Sequence, residues 1–407
     1  MAVGKTQSVN LLPIKGIRIG TASAGIKQTE RDDVTVFEIS KNSTVAALFT
    51  KNKFCAAPVL VSQQHLKQVC PQYLLINSGN ANAGTGEEGL ADANESCQQL
   101  ATLLNIQPEF VLPFSTGVIG EPLPVKKLSA SLPFAISSFS EDGWARAAEA
   151  IMTTDTREKG CSRTFSFNDE TVTVTGIAKG SGMIRPDMAT MLSYIATDLA
   201  IEATLLQQAL KEAVDLSFNS ITVDGDTSTN DSVVLMATGA SKHSLAADDK
   251  ESELYSLFVT TLIDVCQFLA EAIVRDGEGA TKLITVQIEQ ANSLEDAREV
   301  AYTVAQSPLV KTAFFASDPN WGRILAAVGR ANIAELDVEK VSIYLGEVCI
   351  VRSGQKADDY CEQQGQQVMD QDEITVRVNL QQGAHSAHIL SCDLSYDYVK
   401  INAEYRT

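Results

Sequence analysis

The chain has 407 residues, with 44% hydrophobic, 6% aromatic and 20% charged side chains, so it is too long for one small module, too apolar for disorder, and is expected to hold two or three domains. Its 51 acidic against 32 basic side chains leave a formal charge of -19, which repels phosphate backbones and anionic bilayers and argues against nucleic acid or a membrane surface as partner. No apolar run is expected to reach the roughly 18–20 residues of a spanning helix, and residues 1–15 lack the apolar centre of a signal peptide; the expected compartment is the cytoplasm.

In chain order, short apolar runs between turns predict strands over 34–39 and 45–49, then a strand over 72–76 that runs into the cluster Asn77-Ser78-Gly79-Asn80-Ala81-Asn82-Ala83-Gly84. Leu90, Ala93, Cys97, Leu100, Leu103 and Leu104 recur near the helical period and predict a helix over 89–104, followed by a strand over 110–114. A helix over 144–152, a strand over 170–178 and a helix carrying Leu205, Leu206, Ala209, Leu210, Ala213 and Val214 on one face continue the alternation. Beyond a domain boundary near residue 282, a strand is expected over 284–288, and Ser293-Leu294-Glu295-Asp296 opens a helix to about residue 305 in the manner of a capping box. Further strands are expected over 309–316, 341–345, 347–351, 374–379, 387–394 and 398–401, a helix over 322–330, and a glutamine-rich surface loop over 353–372.

The eight cysteines form no CxxC pair and no dense framework, so buried, reduced thiols are expected. Of four histidines only His385 and His388 are close, and their odd spacing in a strand points the rings to opposite faces. Neither a metal site nor a GxSxG nucleophile elbow is visible.

Several segments could carry chemistry. Gly4-Lys5-Thr6 lacks the upstream strand and glycine of a phosphate loop, and Gly16, Gly20 and Gly25 lack dinucleotide-fingerprint spacing and suit turns. Ser115-Thr116-Gly117-Val118-Ile119-Gly120 places small residues at the end of a strand, where a sharp turn can free N–H donors for an oxyanion; an ordinary strand-ending turn has the same composition. In Lys179-Gly180-Ser181-Gly182-Met183-Ile184-Arg185-Pro186-Asp187-Met188-Ala189-Thr190-Met191-Leu192 a glycine-rich turn and a proline precede a threonine that opens an apolar strand. A threonine hydroxyl needs a base to become nucleophilic, and a threonine made N-terminal carries its own, an α-amine titrating near 8. Without that cut, Thr190 is simply a good strand former. The polar loops Asp224 to Asp231, Arg275 to Lys282 and Ser317 to Arg323 are either solvated turns or sites for an amino acid's ammonium and carboxylate.

Together these segments resemble the ornithine acetyltransferase family, also called glutamate N-acetyltransferase, over nearly the whole chain. The resemblance rests on 77–84, 115–120, Met152-Thr153-Thr154-Asp155-Thr156, 179–192, Ser217-Phe218-Asn219 with 224–231, 275–282, 318–323 and Asn402. It implies an α/β fold, a layered αββα sandwich with an N-terminal threonine nucleophile, followed by a smaller C-terminal α/β domain over 283–407. It also implies self-cleavage between Ala189 and Thr190 into an α chain of 1–189 and a β chain of 190–407, assembled as α2β2. Thr190 would take acetyl from N-acetylornithine and pass it to glutamate, with acetyl-CoA a possible second donor and no resident cofactor or metal. By the same resemblance Thr116 and Gly117 form the oxyanion hole, and Lys179, Glu278, Asn402 and Thr407, with Thr153 or Thr154, bind substrate. Lys179 is expected to meet a substrate carboxylate and Glu278 a substrate ammonium. An amidase or aminopeptidase passing the acyl group to water, and a non-catalytic amino-acid binder, are the rival readings.

Overall fold

Strands with apolar side chains on both faces set the architecture, because each face must be covered by another layer. The computed structural model describes residues 2–4, 10–27, 31–185 and 191–405. The first half contributes strands β1 (Ile17–Ala22), β2 (Val34–Ile39) and β3 (Thr44–Phe49), helix α1 (Ala57–Gln68), β4 (Tyr73–Asn80), α2 (Gly86–Leu104), β5 (Val111–Val118), α3 (Val125–Ser137), α4 (Trp144–Ala150), and the hairpin of β6 (Lys159–Phe167) and β7 (Glu170–Lys179). Then come β8 (Leu192–Thr197), the short β9 (Ala200–Ile201), α5 (Ala203–Asp215), β10 (Ser232–Ala237), β11 (Ser244–Leu245) and α6 (Glu253–Arg275). The remainder holds β12 (Leu283–Ala291), α7 (Leu294–Ala305), α8 (Pro308–Phe315), α9 (Trp321–Gly329), β13 (Ser342–Leu345), β14 (Val348–Arg352), β15 (Gln355–Lys356), α10 (Glu362–Met369), β16 (Glu373–Asn379), β17 (His385–Cys392) and α11 (Tyr396–Ala403).

Two sheets, in the orders β1-β2-β4-β5 and β3-β10-β8-β7-β6, lie face to face. Between them pack Ile17, Phe37, Leu74, Ile76, Leu112 and Phe114 from the first and Ile177, Leu192, Tyr194, Val234 and Met236 from the second. The alternate residues of the same strands point outward: Val34, Val36, Leu75 and Val111 meet α1, α2 and α3, and Val174, Ile195, Val233 and Leu235 meet α5 and α6. This is the αββα layering expected of the chain. Tyr194 lies at the middle of the inner layer, its ring 5.3 Å from Phe37 and 5.4 Å from Phe114.

From Leu283 on, a six-stranded sheet in the order β15-β14-β13-β16-β12-β17 packs its apolar face on α7, α8 and α9. Ser293 caps α7 by accepting from the Asp296 N–H at 3.0 Å, as its sequence signature predicts.

Some expectations are corrected. The strand expected over 309–316 is instead helix α8 up to Phe315, because Ser307 caps and Pro308 opens it, and Val310, Lys311, Ala313 and Phe314 share its buried side. Residues 398–401 lie in helix α11, not a strand; its first turn packs on the Gly279 loop, and this docking overrides the β-propensity of Tyr398, Val399 and Ile401. The glutamine-rich stretch is not all loop, since α10 buries Gly365 and Met369 there. An apolar run missed by sequence reading also exists: α6 has 23 residues and a window of mean hydropathy 1.8, long and apolar enough to cross a membrane, yet half of that window is buried as the core helix over β6 and β7. All eight cysteines are free, but only Cys97, Cys161, Cys266 and Cys392 are buried, whereas Cys70 and Cys361 are exposed.

Candidate active site

The polar loops at one end of the sandwich converge on a cleft of about 280 Å³. Its walls include Thr116, Gly117, Thr153, Thr154, Lys179, Glu278 and Asn402, so every predicted site residue that the structure describes faces one space. Ala189, Thr190 and Thr407 lie outside the described residues. Met191, next to Thr190 in the chain, leads into β8, the middle strand of its five-stranded sheet.

Thr116 and Gly117 end β5, which pairs in parallel with β4 until the register breaks at Asn80. Gly117 has a φ of +138°, and a β-carbon there would lie 2.2 Å from the Gly79 carbonyl carbon. Only glycine lets the two backbones approach so closely and turns the chain at this point. Ser115 Oγ donates to Asn77 Oδ1 at 2.6 Å and Asn77 Nδ2 to the Asn80 carbonyl at 2.8 Å. The asparagine cluster thereby fixes the turn in which Thr116 and Gly117 sit.

Lys179, at the end of β7, donates from Nζ to Thr116 Oγ1 at 2.9 Å and to Thr153 Oγ1 at 3.3 Å. An ammonium on the Thr116 oxygen leaves that hydroxyl's proton to point elsewhere and makes it a stronger donor. Burial pushes the Lys179 pKa down from 10.5, while Asp155 and Asp231 pull it back. The structure thus separates the two candidate threonines: Thr153 shares the lysine with Thr116, whereas Thr154 Oγ1 lies 2.6 Å from Ser181 Oγ.

Beneath these residues Lys159, fully enclosed, donates to Asp155 and Asp276 at 2.6 Å each. Asp155 also accepts from the Thr153 N–H at 2.9 Å and the Gly180 N–H at 2.7 Å; burial alone would raise its pKa, but Lys159, Lys179 and the Thr153 N–H hold it well below the usual carboxylate range. Asp276 accepts from the Thr156 N–H at 2.9 Å. One ammonium thus ties together the loops that carry Thr153, Lys179 and Glu278.

Glu278 is anchored by its N–H on the Ser181 carbonyl at 2.9 Å, and its carboxylate accepts from Asn402 Nδ2 at 2.7 Å. Gly182 makes room for it, since a β-carbon there would lie 2.4 Å from the Glu278 carboxyl carbon. Asn402 reaches the cleft from α11, a helix with no buried residue of its own.

Sequence reasoning missed three contributors. Asn230, in a loop already of interest, donates to the carbonyls of Ala81 at 2.6 Å and Ser115 at 2.9 Å and lines the same cleft. Asp155 sits in the segment 152–156, but no helix joins it to Lys159, which opens β6, so their pairing shows only in the fold. Tyr405 lines both this cleft and a smaller neighbour that also touches Lys27, Arg31 and Gly117; Lys27 Nζ donates to its carbonyl at 3.0 Å, and nothing in the local sequence marks it.

Chemically, the cleft offers a threonine hydroxyl and a glycine N–H for a developing oxyanion, a cation, a carboxylate and an amide for a zwitterionic ligand, and a strand head next to the predicted nucleophile. The family model for ArgJ matches residues 18–407. Proteins called arginine biosynthesis bifunctional protein ArgJ are similar along their whole length: that of Methylococcus capsulatus is 57% identical over 98% of this chain and 97% of its own, and that of Pseudomonas fluorescens 52% identical over all of both. A crystal structure of a Bacillus halodurans protein of the same description has a TM-score of 0.50 and 40% identity, covering 53% of this chain and 99% of that one.

Proposed function

The chain belongs to the ArgJ family, and from that premise we propose how it works as an acetyltransferase of arginine biosynthesis. It moves acetyl from N-acetylornithine to glutamate by double displacement on Thr190, with acetyl-CoA as a second donor suggested by the word bifunctional in its relatives' names. The observation that carries the reading is the convergence of Thr116, Gly117, Thr153, Thr154, Lys179, Glu278 and Asn402 on one cleft, at the end of the strand that Thr190 precedes. The precursor is cut between Ala189 and Thr190, which frees the α-amine that serves as base. In keeping with this, the Bacillus halodurans chain is matched almost completely by just over half of this one, as residues 190–407 would be.

Thr116 and Gly117 then hold the oxyanion, Lys179 and Thr153 the substrate carboxylate, and Glu278 with Asn402 its ammonium. Ala189, Thr190 and Thr407 complete the set. The chain divides near residue 282 into a catalytic sandwich and a C-terminal α/β domain, and it works as an α2β2 assembly in the cytoplasm without a resident cofactor.

Mass spectrometry of purified protein incubated with N-acetylornithine tests the reading. Two polypeptides are expected, the second starting at Thr190 and carrying one added acetyl, while Thr190→Ala stays whole. Release of free acetate faster than glutamate is acetylated would instead favour a hydrolase.

A further inference from the structure

We propose that the loop from Thr222 to Ser232 is a clamp for self-cleavage, gripping the chain on both sides of residues 186–190, with Thr222 and Asp224 as positioning residues for the cut. The inference rests on the cleavage reading above.

On the upstream side, the Met183 N–H donates to Asp224 Oδ2 at 2.6 Å and the Ile184 N–H to Asp224 Oδ1 at 2.9 Å. The Ile184 carbonyl accepts from the Val223 N–H at 2.8 Å and from Thr222 Oγ1 at 3.0 Å, and Thr227 Oγ1 donates to the Arg185 carbonyl at 3.3 Å. Met183 is held at a φ of +55°, a left-handed conformation costly for a side chain of its kind. On the downstream side, the Ser232 N–H donates to the Met191 carbonyl at 2.9 Å, where the parallel pairing of β8 with β10 begins. Both ends of the cut segment therefore hang on one loop.

The loop is itself braced from three directions. Asn52 Nδ2 donates to the Thr227 carbonyl at 2.8 Å and Thr50 Oγ1 to the Ser228 carbonyl at 2.9 Å. Asn230 is tied to Ala81 and Ser115, and the Thr222 N–H to the Leu390 carbonyl of β17 at 2.8 Å. Asp224 has no part in the oxyanion or zwitterion contacts, and Thr222 is wholly buried.

In the cut, a bond forms between Thr190 Oγ1 and the Ala189 carbonyl carbon, the Ala189–Thr190 C–N bond breaks, and the hydroxyl proton goes to the leaving nitrogen. Water then splits the ester into an Ala189 carboxylate and the restored hydroxyl. An extended chain free at either end seldom brings a hydroxyl onto the carbonyl just before it. Fixing both flanks shortens that search, which is the gain available from orientation.

The experiment follows conversion of newly synthesised full-length chain to its two products by denaturing gel and mass spectrometry, in wild type, Asp224→Asn, Thr222→Val and Thr222→Ser. Loss of one positioning hydrogen bond should slow conversion about tenfold in Thr222→Val and at least as much in Asp224→Asn, while Thr222→Ser keeps the hydroxyl and the wild-type rate. Once cut, Thr222→Val should transfer acetyl with kcat and KM within about threefold of wild type. Conversion at the wild-type rate in both slow candidates overturns the clamp, as does a parallel loss of transfer in already cut Thr222→Val protein, which a general packing defect would cause. A wild-type chain that stays whole overturns the cleavage reading and the clamp with it.

Discussion

In the sandwich, strand β8 is buried at all six of its residues, whereas β16 of the C-terminal sheet alternates exposed and buried side chains along its length. A strand covered on both faces can present polar groups to solvent only at its ends, and there Thr116, Gly117 and Lys179 meet. The C-terminal sheet keeps one face open to water and sends no strand end into the cleft; its share of the site comes from α11 and the tail beyond it. The difference teaches that one region shapes the reaction space and the other holds its last wall in place.

Matched substitutions in the two regions can break that contrast. Gly117→Ala should cut acetyl transfer about 100- to 1000-fold, the usual loss when an oxyanion donor is displaced. Gly346→Ala also has a positive φ, of +55°, but its β-carbon would find no atom nearer than 3.7 Å; it should cost about 1 kcal/mol of stability and leave kcat unchanged. Similar kinetic losses in both variants would dissolve the distinction. Ile389→Ala, in the core of the C-terminal sheet, should lower the unfolding free energy by about 2–4 kcal/mol in denaturant titrations, with transfer per folded molecule within about threefold of wild type.

Smaller effects sharpen the contrast. Asn402→Ala frees one oxygen of Glu278 and should raise KM about tenfold with kcat nearly kept. Because burial lowers the Lys179 pKa from 10.5, its charge is lost at lower pH than in the unfolded chain. Transfer that needs the ammonium should therefore fade on an alkaline limb below 10.5, and a pH–rate profile of Lys179→Met should lack that limb. In stability the sign is reversed: the folded state binds this proton less tightly, so the group disfavours folding at neutral pH and that penalty fades as pH rises toward 10.5. In the inner layer of the sandwich the Tyr194 hydroxyl is buried with no hydrogen-bond partner among the described residues. Tyr194→Phe should raise stability by about 1 kcal/mol in thermal unfolding.

How much was legible in the sequence follows from how local each signal is. The strands at 34–39 and 170–178 and helices α2, α5 and α7 announced themselves through periodicity and capping, which need no tertiary knowledge. The strand expected at 309–316 is helix because a run of mixed apolar residues suits either period, and the Ser307-Pro308 start decides for the helix. The strand expected at 398–401 failed because docking of α11 on Gly279 is a contact across more than a hundred residues. At the site, the segments bearing Thr116, Gly117 and Lys179 could be singled out as glycine-punctuated turns, although their roles came only through the family resemblance. Asn230 and Tyr405 could not be singled out, since their significance lies in which distant backbone they touch.

The five-stranded sheet runs in the order β3-β10-β8-β7-β6. Three of those strands precede residue 190 and two follow it, with the later pair seated inside the earlier three. A cut after Ala189 would therefore open no seam. Each product would keep one sheet whole, the four-stranded one in the first and the six-stranded one in the second, but would hold only an incomplete comb of this sheet, with raw edges. Breaking the peptide would turn a folding problem with one chain into one with two, so that after denaturation recovery should depend on protein concentration although the native molecule keeps its shape. The mature enzyme would then be easy to keep and hard to remake, its history written into the sheet as an order of strands that no single product can reproduce.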